Sequence, residues 1–267
     1  MVESQQCSNS KIFWLGHAGF KICFDVGGTT RVVYIDPWIG NAKYPDSLKN
    51  EAGESPMPTD ADLILITHGH FDHAQHAPDL QKASTKEECK IACGFELSNY
   101  YKIAKGVPEN GLIGCGKSGT IDLGWAKITQ VSADHSSSCG FSEDGIANYA
   151  GAAAGWVLRL LNGVAVYHAG DTGVFSDMKI INDLYAPTHL LIPIGGHFTM
   201  GPQEAAYAVK HFLYGAHTII PMHFLTFPLL KGDVPTFNGF LQEYGVEGKR
   251  VVDSYSEALG KWIDLNP

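Results

Sequence analysis

Asp62-Leu63-Ile64-Leu65-Ile66-Thr67-His68-Gly69-His70-Phe71-Asp72-His73 joins a short apolar run to three imidazoles and a carboxylate packed into its last six residues. The run has the length of a buried strand, which places the histidine cluster on the loop at that strand's carboxyl end. Loops held by a rigid strand are where proteins mount chemistry, so the cluster predicts both a sheet and a site at its edge.

Upstream, Lys11 to Leu15, Phe20 to Phe24 and Arg31 to Ile35 read as strands, with Gly27-Gly28 turning the chain between the last two. The third strand ends at Asp36-Pro37-Trp38. Residues 41–60 follow as a polar loop rich in Pro, Gly, Asn and Glu, with the character of a lid. Beyond the cluster, Thr85 to Lys105 suits alternating short helices and a strand. Lys127 to Val131 is a strand that runs into Asp134-His135, and Ser136 to Ala154 reads as a long loop of small residues. Trp156 to Leu161 and Val164 to Tyr167 flank Asn162-Gly163, a type I′ hairpin signal. The second of these strands empties into His168-Ala169-Gly170-Asp171. Leu190 to Ile194 and Thr218 to Ile220 end in Gly195-Gly196-His197 and Pro221-Met222-His223. Between them Pro202 to Tyr214 has helical periodicity, with Pro in the first turn and Gly215 as the stop.

Five strand ends thus deliver His or Asp: Asp36, the His68 to His73 cluster, His135, Asp171 and His223. Imidazole and carboxylate suit borderline divalent ions, and a hydrolytic site needs a coordination position left for water. Seven candidate ligands exceed what one tetrahedral ion takes and suit two ions sharing a bridging carboxylate. Asp36 is placed to accept from a ligand imidazole and fix its tautomer.

His68-x-His70-x-Asp72-His73, followed in order by His135, Asp171 and His223, resembles the metallo-β-lactamase superfamily. Trp14-Leu15-Gly16-His17-Ala18-Gly19-Phe20, Ile35-Asp36-Pro37, Tyr167-His168-Ala169-Gly170-Asp171-Thr172-Gly173 and Phe198-Thr199-Met200-Gly201-Pro202 narrow the likeness to a metal-dependent hydrolase branch similar to ascorbate-phosphate lactonases. The resemblance implies an α/β fold, an αββα sandwich of two mixed β-sheets packed face to face with helices outside. It implies that His68, His70 and His135 hold one metal, that Asp72, His73 and His223 hold the other, and that Asp171 bridges them. Zinc and manganese rank first as the ions, and iron also accepts this ligand set. Oxygen-reducing diiron relatives carry Glu where this chain has His70, which favours hydrolysis over redox chemistry. The activity implied is hydrolysis of a small ester, lactone or phosphodiester; the alternatives are a metal-binding protein without turnover and a nuclease-type phosphodiesterase. A homo-oligomer is also implied by analogy.

Asp72 and Asp171 are the expected catalytic carboxylates. His197 is a candidate proton donor or anion contact, and His17, in the first hairpin, is a candidate support for the ligands. His76, His189, His211 and His217 have neither a motif nor a strand end and read as structural. Phe13, Trp14, Phe20, Phe24, Trp38, Phe224, Phe227 and Leu229 read mainly as core, with those nearest the strand ends available to wall a pocket.

The 267 residues read as one domain over 1–267, with 19 Lys and Arg against 28 Asp and Glu and a net charge of −9. That balance, without a basic run, disfavours nucleic acid as a partner and points to a small-molecule substrate, anionic if the metals attract it. No apolar stretch has the length of a membrane span and the first dozen residues are polar, so the expectation is a cytoplasmic protein without a membrane span. Six cysteines lie scattered without a Cys-x-x-Cys pair and read as reduced bystanders.

Overall fold

The computed structural model describes residues 7–141 and 144–266. In chain order the strands are β1 (Cys7–Trp14), β2 (Phe20–Val26), β3 (Thr29–Ile35), β4 (Leu63–Leu65), β5 (Lys90–Gly94), β6 (Leu112–Cys115), β7 (Thr120–Asp122) and β8 (Ala126–Ser132). They continue with β9 (Ser138–Phe141), β10 (Ala147–Tyr149), β11 (Ala154–Leu160), β12 (Ala165–His168), β13 (His189–Pro193), β14 (Thr218–Met222), β15 (Arg250–Val251) and β16 (Trp262–Asp264). The helices are α1 (Phe71–Ala74), α2 (Ala77–Ala83), α3 (Phe95–Ala104), α4 (Met178–Tyr185), α5 (Pro202–His211) and α6 (Val234–Glu243).

Two seven-stranded sheets result, in the orders β16-β1-β2-β3-β4-β5-β6 and β15-β14-β13-β12-β11-β8-β7. Each is antiparallel on one side and parallel on the other, from β3 to β6 in the first and from β12 to β15 in the second. The fold is the expected αββα sandwich. Side-chain alternation explains the layers: Val33, Ile35, Leu63 and Leu65 join Ile128, Trp156, Leu158 and Val166 between the sheets. Their neighbours Val32, Tyr34, Ile64 and Ile66 turn the other way, to meet Ala77, Leu80, Leu97 and Tyr101 under α2 and α3. With both faces of β4 covered, its sequence must be apolar at every position, as parallel strands usually are.

The Gly27-Gly28 turn has positive φ at both residues, 56° and 78°, and directly joins the paired Val26 and Thr29. This is the type I′ geometry expected instead at Asn162-Gly163. There only Gly163 is left-handed (φ 89°), and Leu160 N–H bonds to Val164 C=O, so Leu161 joins the loop and makes it three residues long.

Four other expectations need correction. Ser136 to Ala154 is not a long loop: β9 and β10 form a hairpin there and β11 already begins at Ala154. Residues 85–105 hold one strand, β5, followed directly by α3. α5 stops at His211 rather than Tyr214, because the N–H groups of Phe212 and Leu213 both turn to the Ala208 carbonyl. Residues 41–60 are not a lid over the histidine cluster. They cover the outer face of the first sheet, where Tyr44 is buried and Asn41 donates to the Leu15 carbonyl. Among the described residues no helix is long and apolar enough to cross a membrane.

Candidate metal centre

The cluster is shaped by two adjacent parallel strands. Ile35 of β3 pairs with Leu65 of β4, so Asp36 lies beside Thr67 where both strands end. One Asp36 oxygen accepts the Thr67 N–H at 2.8 Å; the other accepts the Thr67 hydroxyl at 2.6 Å and faces His73 Nδ1 at 2.7 Å. Because the Thr67 O–H is spent on Asp36, its oxygen is left to accept from His68 Nδ1 at 3.0 Å. Asp36 therefore fixes two imidazoles, one directly and one through Thr67. Each then turns its Nε2 to the site, that of His68 facing His70 Nδ1 at 2.9 Å and that of His73 facing Asp171, the usual role of a carboxylate behind metal-ligating histidines.

After His68 the chain passes Gly69, where an added Cβ would lie 2.5 Å from the Ala150 Cβ and 2.8 Å from the Ser138 carbonyl; only glycine fits against the β9–β10 hairpin. Ser137 Oγ accepts the Gly69 N–H. His70 is the N-cap of the single-turn helix α1, which buries Asp72 and His73 and leaves Phe71 outside. The second sheet supplies the rest. His135 follows β8, Asp171 follows β12 and His223 follows β14 with φ of 55°. Asp36 and His17 are also left-handed, with φ of 45° and 53°. Strained non-glycine backbone of this kind gathers where surrounding structure over-determines it, commonly at functional sites.

Two sets of donor atoms form, each with all members within 4.8 Å of one another: His17, Asp72, His73 and His223, all buried, and His68, His70 and His135, of which only His68 is buried. Asp171 lies between them. Its Oδ1 is 3.3 Å from His73 Nε2, and its Oδ2 is 3.0 Å from His223 Nε2 and 3.6 Å from His135 Nε2. Asp36, His68 and His73 make a third group, but Asp36 already spends both oxygens on Thr67 and His73.

The donor set fits a divalent cation. His73 Nε2, His223 Nε2 and Asp171 Oδ1 are buried, close to one another and yet make no hydrogen bond. Native interiors rarely leave such atoms unpaired unless an ion or water completes them. The electrostatics agree. Burial would depress the His73 pKa, but the Asp171, Asp36 and Asp72 carboxylates outweigh it and raise it well above the usual histidine value. With Nδ1 turned to Asp36, the extra proton belongs on Nε2, the atom facing Asp171. Conversely, burial would raise Asp171, but His223 and His73 hold its carboxyl well below the ordinary range. Asp72 is lowered too, against its burial, by His73 and by the hydrogen bond from His17. His68 is kept neutral by burial and by the charge of His73, and burial lowers His70 and His135 as well. Neutral imidazoles and ionised carboxylates are the forms that bind metal, so His73 alone of these would have to give up its Nε2 proton to a bound cation.

His17 lies within the buried set. Its Nε2 meets Asp72 Oδ2 at 3.0 Å and its Nδ1 meets Thr226 Oγ1 at 2.6 Å. Burial, reinforced by His223, lowers its pKa to about 3. A neutral ring donating to Asp72 and accepting the Thr226 hydroxyl satisfies all three groups. His197 is elsewhere: it is exposed, edge-on to Phe198 at 4.4 Å, and lines a neighbouring cavity with Lys231 and Thr236. The proton-donor role expected for it finds no contact with the donor atoms. His168 ties the sheets together through the Ala18 carbonyl at 2.8 Å. His189 and His217 pair at the amino-terminal ends of β13 and β14, opposite the site. His76 accepts the Ile39 N–H, and neither it nor His211 reaches the pocket over the donor atoms.

That pocket, about 700 Å³, has His70, Asp72, His135, Asp171 and His223 among its lining residues. Ser136, Phe71, Phe198, Phe227, Pro228 and Leu229 complete the lining. Sequence reading did not single out Thr67, Thr226 or Phe71. The β3–β4 register would have found Thr67, whereas nothing in the sequence marks Thr226.

Residues 11–223 match the family described as a beta-lactamase superfamily domain. A UPF0173 metal-dependent hydrolase from Methanoregula boonei is 44% identical over 255 residues, covering 95% of this chain and 97% of the relative. One from Myxococcus xanthus is 40% identical over 243 residues, covering 91% of this chain and 80% of the relative. Among solved structures, Igni18, a metallo hydrolase from the hyperthermophilic archaeon Ignicoccus hospitalis, is similar with a TM-score of 0.73 and 28% identity, over 97% of this chain and 98% of that one.

Proposed function

The chain belongs to the beta-lactamase superfamily as a metal-dependent hydrolase, and from that premise we propose a dinuclear enzyme that cleaves a small ester, lactone or phosphodiester. The observation that carries the reading is Asp171, whose two carboxylate oxygens approach His73 on one side and His223 and His135 on the other. His68, His70 and His135 would hold one ion, Asp72, His73 and His223 the other, and Asp171 both. Zinc and manganese suit these nitrogen and oxygen donors best. Divalent ions held there would lower the pKa of water towards neutrality and polarise the bond to be cleaved.

The protein contributes positioning and proton control. Asp36 and Thr67 hold His73 and His68 with Nε2 turned to the centre. Ionised Asp72 and Asp171 offset the charge of the ions and can accept, but not donate, a proton at their oxygens. His17 holds Asp72 by one oxygen and limits its rotation. The apolar walls restrict water above the reacting bond, which strengthens every electrostatic interaction beneath them.

The test is a screen of metal-reconstituted protein on lactones, carboxylic esters, thioesters and phosphodiesters, with Asp171→Ala and chelated protein as controls. Turnover that disappears in both controls is expected. Turnover that survives either one overturns the proposal.

A further inference from the structure

The walls above the donor atoms differ in kind from the floor. Three separate connections supply them: Phe71 at the start of α1 after β4, Phe198 after β13, and Phe227, Pro228 and Leu229 after β14. Phe71 is 57% exposed, Phe198 49% and Leu229 50%, so these side chains are not filling the core. On one side the rings are organised: Trp38 stacks on Phe227 at 5.6 Å and 25°, meets Phe71 edge-on at 5.6 Å, and Phe71 meets Phe227 at 6.5 Å. The first turn of α1 explains the placement of Phe71. Asp72 and His73 take the buried face of that single turn, so the residue between His70 and Asp72 stands over the mouth.

No Lys or Arg lines the pocket among the described residues; Ser136 brings the one hydroxyl, and every other polar group is a donor on the floor. A sugar or a multiply charged head group would find neither hydrogen-bond partners nor a counter-charge on these walls. An apolar group would find ordered aromatic faces and lose its exposure to water together with that of Phe71, Phe198 and Leu229. The volume of about 700 Å³ accommodates a group of several carbons beside the bond being cleaved.

Resting on the hydrolase reading, we infer that the non-reacting part of the substrate is an aryl or medium-length acyl or alkyl group, seated against Phe71, Phe198, Phe227 and Leu229. The anionic character expected from the sequence is then confined to the group that meets the metals.

Binding and turnover test it separately. Zinc-loaded protein is titrated calorimetrically with hydroxamates from acetyl to octanoyl, whose common head group chelates metal. Burying each methylene is worth about fourfold in affinity, so even partial seating of the chain gives octanoyl at least about a tenfold lower Kd than acetyl. Phe71→Ala and Phe227→Ala should each reduce that ratio, to about threefold or less in the double variant. Equal affinities along the series, a ratio unchanged in the double variant, or no hydroxamate binding overturns the inference. A parallel series of p-nitrophenyl esters and alkyl phosphodiesters should show kcat/KM rising with chain length in whichever class turns over; a flat or falling profile also overturns it. Absence of turnover in every class tells against the hydrolase reading instead, and the hydroxamate ratio still decides the apolar seat.

Discussion

The two donor sets beside Asp171 are built to different standards. In the buried set, His73 leans on Asp36 and Asp72 on His17, which leans on Thr226; Asp72, His73, His223 and the supporting His17 are all buried, and two, His17 and His223, are held at left-handed backbone angles. In the other set only His68 has such support, through Thr67, while His70 and His135 are half-buried at the pocket floor. The buried set is organised before any ligand arrives, and both sets reach the pocket floor, one through Asp72 and His223 and the other through His70 and His135. Metal ligands backed by hydrogen bonds hold their ion more tightly, so the buried set should bind first and exchange last.

Asp171→Ala removes the carboxylate that lies between the two sets and should have the largest effect, a loss of at least about a thousandfold in metal-dependent kcat/KM measured with the substrate found by screening. A loss under tenfold would mean that the sets work independently.

Asp36→Ala should come next. It frees His73 directly and His68 through Thr67, so metal affinity should drop by about 10- to 100-fold. Thr67→Val leaves the His73–Asp36 contact in place and should weaken only the open set, by about tenfold or less. Competition with a chromophoric chelator reads both. Equal effects on the first and second equivalents of metal in the Thr67 variant would break the distinction.

His17→Phe removes the hydrogen bond to Asp72 while keeping a ring between Trp38 and His223. Metal in the buried set should dissociate about tenfold faster, with the open set unaffected, as stopped-flow metal release would show. His17→Gln, which can still donate, should restore part of the difference.

The smallest effect concerns metal-free protein. His73 has a folded pKa raised above its unfolded value near 6.5, so its contribution to stability is complete below about pH 6.5 and is lost as pH rises through the folded value. Asp72 and Asp171 are depressed; their contribution is present above about pH 4 and is lost as pH falls through their folded values. Thermal melts with chelator from pH 7.5 to 9, above the range where the depressed His17, His68, His70 and His135 would titrate in the unfolded chain, should show Tm falling by a few degrees, and added zinc should remove most of the slope. A Tm that rises across that range would contradict the charge assignment of His73.

Much of this centre was legible in the sequence because its carriers end strands. Asp36, the His68 to His73 cluster, His135, Asp171 and His223 each follow a β-pattern, and a chain of strands brings its carboxyl ends to one edge. What failed was local geometry that depends on distant packing. The stretch from Ser136 onward folds into a hairpin that seats on Gly69, and residues 41–60 settle on the outer sheet face because Asn41 and Tyr44 find partners there. His17 could be suspected from its turn, but its contact with Asp72 spans 55 residues and its contact with Thr226 spans 209. No spacing rule reaches that far. His197 follows a strand as the others do, yet its left-handed backbone (φ 60°) carries the exposed ring to a neighbouring cavity.

One carboxylate, Asp171, stands between two donor sets of unequal rigidity, where a ligand shared by two ions would stand. Anomalous diffraction from crystals soaked with zinc at rising concentration tests it most directly. A first peak is expected among Asp72, His73 and His223, then a second among His68, His70 and His135, with Asp171 between them. A single peak at saturation, or first occupancy of the open set, would contradict it.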